Sequence, residues 1–215
     1  MSKGLFMNAR KTLKINQLGH LEIGGADTVE LAKQFGTPLY VMDEQYIRDM
    51  CRAYSDAIRS DYNGNGLVLY ASKAFSCMAV YKIVQSEGCG VDVVSGGELY
   101  TALKAGFPAA KMCLHGNNKL QGELELAAES GVGLIVVDSY TELDRLDALC
   151  AENSRKQEIL LRINPGVEAH THRFIQTAKT DSKFGFSIAD GTAEKITAYA
   201  LEKKNLCLKG YHCHI

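Results

Sequence analysis

Seven apolar runs punctuate the chain: PLYVMD (38–43), GLVLYAS (66–72), GVDVVS (90–95), KMCLHG (111–116), GLIVVDS (133–139), EILLRINP (158–165) and LKGYHCHI (208–215). Each has the length of a strand and lacks the strict alternation of a half-buried one, so each predicts a strand covered on both faces. Segments with helical spacing lie between them. Ile47, Met50, Tyr54 and Ile58 make one apolar stripe, and Leu143, Leu146 and Leu149 make another. Ser139 and Glu142 stand at capping-box spacing just before the second stripe, which predicts a helix start there. Strands alternating with helices argue for an α/β protein with a parallel sheet.

The residues at the strand ends discriminate between an open sheet and a barrel. From GLVLYAS onward the carboxyl ends carry Lys73, Ser95, His115 with Asn117, Asp138, Arg162 with Asn164, and finally His214. A doubly wound sheet concentrates its chemistry at one switch point, whereas a (β/α)8 barrel draws it from many strand ends. The pattern therefore predicts a TIM-type (β/α)8 barrel, of which about six strands are visible, so the barrel is incomplete. The segment LKINQLGHLEIGG, ahead of the first helix, reads as two short strands around a turn. The expected division is a lead-in of strands over residues 1–35 and a partial barrel over 36–215, the chain being the front part of a longer protein.

Composition narrows the function. The 215 residues are 46% hydrophobic with a formal net charge of -1, so a sizeable core is expected and attraction to nucleic acid or anionic lipid is not. No apolar run approaches the roughly 20 residues needed to cross a bilayer, and the N-terminus lacks the apolar stretch of a secretory signal. Cys51, Cys77, Cys89, Cys113, Cys150, Cys207 and Cys213 form no CxxC pair, which fits free thiols in a reducing compartment. A soluble, cytoplasmic protein is expected.

Lys73, at the mouth of an apolar strand, is the first candidate for chemistry. A dry setting lowers a lysine pKa and yields an amine able to form a Schiff base; a snorkelling strand-end lysine is the competing reading. Asp92 sits one strand over at nearly the same height, able to pair with Lys73 or with a cofactor's phenolic oxygen. Ser95-Gly96-Gly97 before a helix could hold an anion on backbone amides or be a plain turn. Neither GxxxxGK[ST] nor GxGxxG occurs, which counts against nucleotide binding. The pairs His170/His172 and His212/His214 supply at most half a zinc site and no third ligand at an obvious spacing, arguing against a metal. In GYHCHI a flat imidazole at a strand end could instead stack on an aromatic cofactor. The polar stretch 173–187 is long for a barrel loop and reads as functional.

YASKAF, GVDVVSGGEL, HGNNK, RINPGV, HTHRFIQT, DSKFGFS and GYHCHI occur in the order and at the spacing that mark the diaminopimelate decarboxylases, which the chain resembles. The resemblance spans about Leu13 to Ile215. It implies a pyridoxal 5'-phosphate enzyme of the alanine racemase-like, fold type III group. The resemblance further implies that Lys73 carries the cofactor as a Schiff base and is catalytic. Asp92, Arg162 and His214 would be its other cofactor-binding residues, His214 stacking on the pyridine ring. His172, Ile175, Thr177, Ser182 and Lys183 would line the substrate side of the mouth. The implied reaction is decarboxylation of meso-2,6-diaminopimelate to L-lysine in lysine biosynthesis, with a small amino acid as substrate, no nucleic acid or membrane partner, and a homodimer for the full-length protein.

In that family a Gly-Ser, a glycine-rich phosphate loop, a glutamate for the pyridine nitrogen and a β-domain come after the sixth-strand histidine. The 215-residue piece is therefore expected to be inactive alone, its first strands partnering the absent β-domain. Ornithine, arginine and carboxynorspermidine decarboxylases and alanine racemase share the scaffold. A cofactor-free Schiff-base aldolase and a non-catalytic pyridoxal-phosphate-binding barrel are the alternatives of other classes.

Overall fold

The computed structural model describes residues 12–167 and 184–214. The chain divides into two compact units, Met1–Val68 with Lys82–Cys89, and Leu69–Tyr81 with Gly90–Ile215. Among the described residues no helix is long and apolar enough to cross a membrane.

In the first unit β1 (Leu13–Ile15) and β2 (Leu21–Ile23) form the expected antiparallel hairpin, with Leu13 opposite Ile23 and Ile15 opposite Leu21. Its turn closes because the Asn16 side chain accepts from the Leu18 and His20 amides while Gly19 takes positive φ. β3 (Ala26–Asp27) adds a third strand that the sequence pattern had not suggested. Asp27 then caps α1 (Thr28–Phe35) by accepting from the Val29 and Glu30 amides. Helix α2 (Glu44–Asp61) starts on Asp43, whose carboxylate accepts from the Tyr46 amide. Arg48 and Arg52 on α2 grip the two oxygens of Glu87 at 2.7 and 2.6 Å.

Two expectations fail here. PLYVMD, 38–43, forms no ladder among the described residues, and Tyr40 within it is 98% exposed. An apolar run is a strand only where a neighbour supplies the other half of each hydrogen bond. On α2 the apolar stripe is imperfect: Ile47, Met50 and Ile58 are half-buried, but Tyr54 is exposed, and the adjacent Ser55 hydroxyl lies against Cys89 instead.

The second unit carries six parallel strands whose order in the sheet is their order in the chain. These are β4 (Leu69–Ala71), β5 (Gly90–Val93), β6 (Met112–Leu114), β7 (Leu134–Val137), β8 (Gln157–Asn164) and β10 (Leu206–His212); a two-residue β9 (Phe186–Ser187) pairs with β8. The helices α3 (Met78–Ser86), α4 (Gly96–Lys104), α5 (Gln121–Ser130), α6 (Tyr140–Glu152) and α7 (Thr192–Leu201) alternate with them. A sheet that grows in chain order with no reversal is barrel topology, and six strands are an incomplete turn of it. Val91, Val93, Met112, Leu114, Ile135, Val137, Ile159 and Leu161 are buried, as are Leu143, Leu146 and Leu149 on α6. Asp92 lies between two fully buried valines and is half-buried, so it occupies the opposite face of β5.

The βα turns share one device. Ser95 and Ser139 cap α4 and α6 by accepting from the Glu98 and Glu142 amides. The carboxylates do not complete a reciprocal box on those serines. Glu98 accepts from the Val94 amide (2.8 Å) and from Ser72 Oγ (2.5 Å) at the end of β4. Glu142 faces the Asp138 amide (3.4 Å) and accepts from Lys119 Nζ (2.7 Å) in the loop after β6. Glu123, at the third position of α5, accepts from Leu120 (2.8 Å) and from the Gly96 amide (2.5 Å) after β5. Each of these three helices thus spends one glutamate on the βα unit before it. The anion held by the Ser95-Gly96-Gly97 turn is therefore the protein's own Glu123.

Candidate active site

At the carboxyl edge the backbone register sets the heights. Ala71 pairs with Asp92, Asp92 with Cys113, and Arg162 with His212. Lys73 follows β4 in a single 3-10 turn, Ser72–Ala74, whose Ser72 is buried and donates to the Asp92 carbonyl at 2.9 Å. Lys73 itself is exposed. The sequence suggested a dry setting for it. β4 is the terminal strand of the sheet, with β5 as its one ladder partner among the described residues, and Leu69 and Ala71 on it are exposed as well.

Arg162 is held from two sides. Its guanidinium is buried, 3.4 Å from Asp138 Oδ2 and 4.3 Å from the centre of the Phe184 ring. Asp138 Oδ1 accepts in turn from the Gly185 amide at 2.8 Å. Gly185 has φ +73°, and a Cβ there would stand 3.0 Å from the Arg162 carbonyl, so no other residue fits without displacement. His212, on β10, stacks against His115 from the end of β6 with ring centres 4.4 Å apart. His115 Nδ1 lies 3.9 Å from Asp92 Oδ2. His115 Nε2 and His212 Nδ1 are buried atoms with no hydrogen-bond partner.

Burial decides the charges. It pushes the Asp92 carboxyl up to about 6, against the pull of Lys73 and Arg162 and with a smaller push from Glu98. The same effect, reinforced by His212, Arg162 and Lys119, takes His115 down to about 3. Burial with Arg162, His214 and Lys119 takes His212 to about 4, and burial with Lys73 and Arg162 lowers His214. The edge thus presents the Lys73 amine, the Arg162 guanidinium, imidazoles that burial holds uncharged near neutral pH and a carboxyl group pushed up to about 6. A flat ligand bearing an aldehyde and anionic substituents matches that set: an amine to bond it, a fixed cation to face it and neutral rings to stack on it.

Residues 45–215 match the family described as pyridoxal-dependent decarboxylase, pyridoxal binding domain. The chain belongs to that family. Among its curated relatives, the diaminopimelate decarboxylase of Bacillus methanolicus is 52% identical over 95% of this chain and 47% of its own length. That of Bacillus subtilis is 48% identical over 95% and 46%. The chain spans about half the length of the curated relatives it matches. Among solved structures, a diaminopimelate decarboxylase from M. jannaschii in complex with L-lysine superposes with a TM-score of 0.85 at 36% identity, covering 95% of this chain and 48% of that one. A lysine/ornithine decarboxylase from Vibrio vulnificus complexed with putrescine gives 0.68 at 25% identity, over 87% and 45%.

Of the residues singled out from sequence, Asp92 and His214 each feel the charges of Lys73 and Arg162. His172, Ile175, Thr177, Ser182 and Lys183 lie outside the described residues. Sequence reasoning gave no role to Asp138, Glu98 or His115. Their signal was present, since His115 and Asp138 each end an apolar run, but nothing in one dimension shows that Asp138 holds Arg162 across a strand.

Proposed function

We propose that this chain is the cofactor-bearing part of a diaminopimelate decarboxylase, converting meso-2,6-diaminopimelate to L-lysine and carbon dioxide with pyridoxal 5'-phosphate. The observation that carries the reading is that Lys73 and Asp92 stand at the carboxyl edge of the neighbouring strands β4 and β5, with Arg162 and His214 on and just after β8 and β10 at the same edge, in a chain half-identical to curated diaminopimelate decarboxylases. When bound, the cofactor supplies the electron sink that makes loss of carbon dioxide feasible.

The residues of the chain divide the remaining work. Lys73 Nζ holds the cofactor and, when not so engaged, carries a proton to the α-carbon. Asp92, raised by burial to about 6, would be suited to exchange a proton with that amine. Arg162, fixed by Asp138 and Phe184, offers a positive charge that does not move. His214, just past β10, would stack on one face of the bound ring. The loop residues His172, Ile175, Thr177, Ser182 and Lys183 would contact substrate. A lead-in over residues 1–35 ahead of the barrel, a homodimer and a cytoplasmic location complete the reading. Seven free cysteines support the last.

The test is carbon dioxide release by the full-length protein, supplied with pyridoxal phosphate and offered meso-diaminopimelate, ornithine or arginine. Release from diaminopimelate, with L-lysine formed and the activity abolished by Lys73→Ala, is expected. Release from ornithine would transfer the protein to the decarboxylases of that substrate. A visible cofactor band without carbon dioxide from any substrate would leave only a binding barrel.

A further inference from the structure

His115 is 7% exposed, yet its Nε2 meets no partner. A buried polar atom left unpaired is costly, so most such atoms find a partner. A mobile residue would relieve that cost by turning away, and this one is pinned on both sides. Its amide donates to the Val93 carbonyl at 2.8 Å. The next residue, Gly116, takes φ +124°, where a Cβ would press to 3.3 Å on the Val94 carbonyl. Three residues on, Lys119 Nζ donates to the Gly116 carbonyl (2.7 Å), the Val136 carbonyl (2.6 Å) and Glu142 Oε1 (2.7 Å), locking the turn from below. The backbone of the turn is therefore fixed, and the ring rests against His212 with Nδ1 3.9 Å from Asp92 Oδ2 and Nε2 unserved.

We propose that His115 is a further binding residue of the site, its Nε2 forming a hydrogen bond to the pyridoxal group that Lys73 holds, with Asp92 fixing which ring nitrogen carries the proton. This rests on the pyridoxal-phosphate reading above. Every charged or titratable group facing the ring belongs to that same edge: Asp92 on β5, Arg162 on β8, His212 and His214 on and after β10, and Lys119 in its own loop. An ionised Asp92, 3.9 Å from Nδ1, favours the tautomer whose proton lies on that nitrogen, which leaves Nε2 as the acceptor.

The experiment titrates full-length apoprotein with pyridoxal phosphate, following the visible band and its pH dependence. His115→Phe keeps a ring against His212 and removes both nitrogens. It is expected to weaken cofactor affinity roughly tenfold, the worth of one good hydrogen bond, and to alter the pH titration of the band. His115→Gln, which restores a polar atom near the Nε2 position, is expected to recover most of the affinity. Unchanged affinity and an unchanged pH profile in His115→Phe would overturn the proposal. Should that variant not fold, wild-type protein labelled with 15N-histidine decides: the His115 Nε2 resonance must shift when pyridoxal phosphate is added, and a static resonance overturns the proposal. Wild-type protein that takes up no pyridoxal phosphate would overturn the cofactor reading itself, and His115 with it.

Discussion

Replacing Lys119 with methionine tests the buried pair that fixes the turn after β6. The side chains of Lys119 and Glu142 are 2% and 7% exposed and meet at 2.7 Å. Methionine fills similar volume but withdraws one charge and three hydrogen bonds. The Glu142 carboxylate is then left buried with only the Asp138 amide, at 3.4 Å, for company. Removing one member of a buried pair costs about 3–5 kcal/mol, a large share of the roughly 5–15 kcal/mol that holds a domain. Glu142→Leu alone, stranding an ammonium, should cost a similar amount. The double replacement removes both charges and leaves the Gly116 and Val136 carbonyls and the Asp138 amide short of a partner, about 1–3 kcal/mol each. At the middle of these ranges it should be less damaging than the sum of the singles by about 2 kcal/mol. Urea unfolding of the full-length apoprotein, followed by far-ultraviolet circular dichroism, measures all four corners of the cycle. A double variant that loses the full sum of the single losses would refute the coupling, and with it the clamp on the His115 turn.

Stability should depend on pH through three buried groups of the site. Asp92 rises to about 6 from 3.8, so the stability it contributes is present below 3.8 and lost as pH rises through 6. His115 and His212 fall to about 3 and about 4 from 6.5, so theirs is present above 6.5 and lost on acidification. The histidines outnumber the aspartate, so stability should fall between pH 6 and pH 4, and Asp92→Asn should steepen that fall in thermal melts by removing the opposing group. Gly185→Ala should cost about 1–3 kcal/mol through positive φ and the close Arg162 carbonyl, and should loosen cofactor binding because the Gly185 amide no longer orients Asp138. Gly133→Ala should abolish soluble expression, since its Cβ would overlap the Ala110 carbonyl; a variant melting within a few degrees of wild type would contradict that contact.

The barrel arc was legible because its strands are short apolar runs ended by polar residues, and each of the six from GLVLYAS onward formed where that pattern put it. PLYVMD has the same composition and no ladder, because pairing depends on a neighbour that the run itself does not encode. Capping was half legible: Ser139 caps as its spacing suggests, but Glu142 turns to Lys119, 23 residues away.

The glutamates at the helix starts also bear on the order in which the arc assembles. Ser72 and Glu98 are separated by 26 residues, Gly96 and Glu123 by 27, and Lys119 and Glu142 by 23. Every tie joins a βα unit to the one synthesised just before it, so no tie waits for a distant part of the chain. Short closures of this kind are cheap in entropy and form early. As the chain leaves the ribosome, each of these units can latch onto its predecessor within about one repeat of its own emergence, and this part of the arc can grow as a zipper from β4 toward β7.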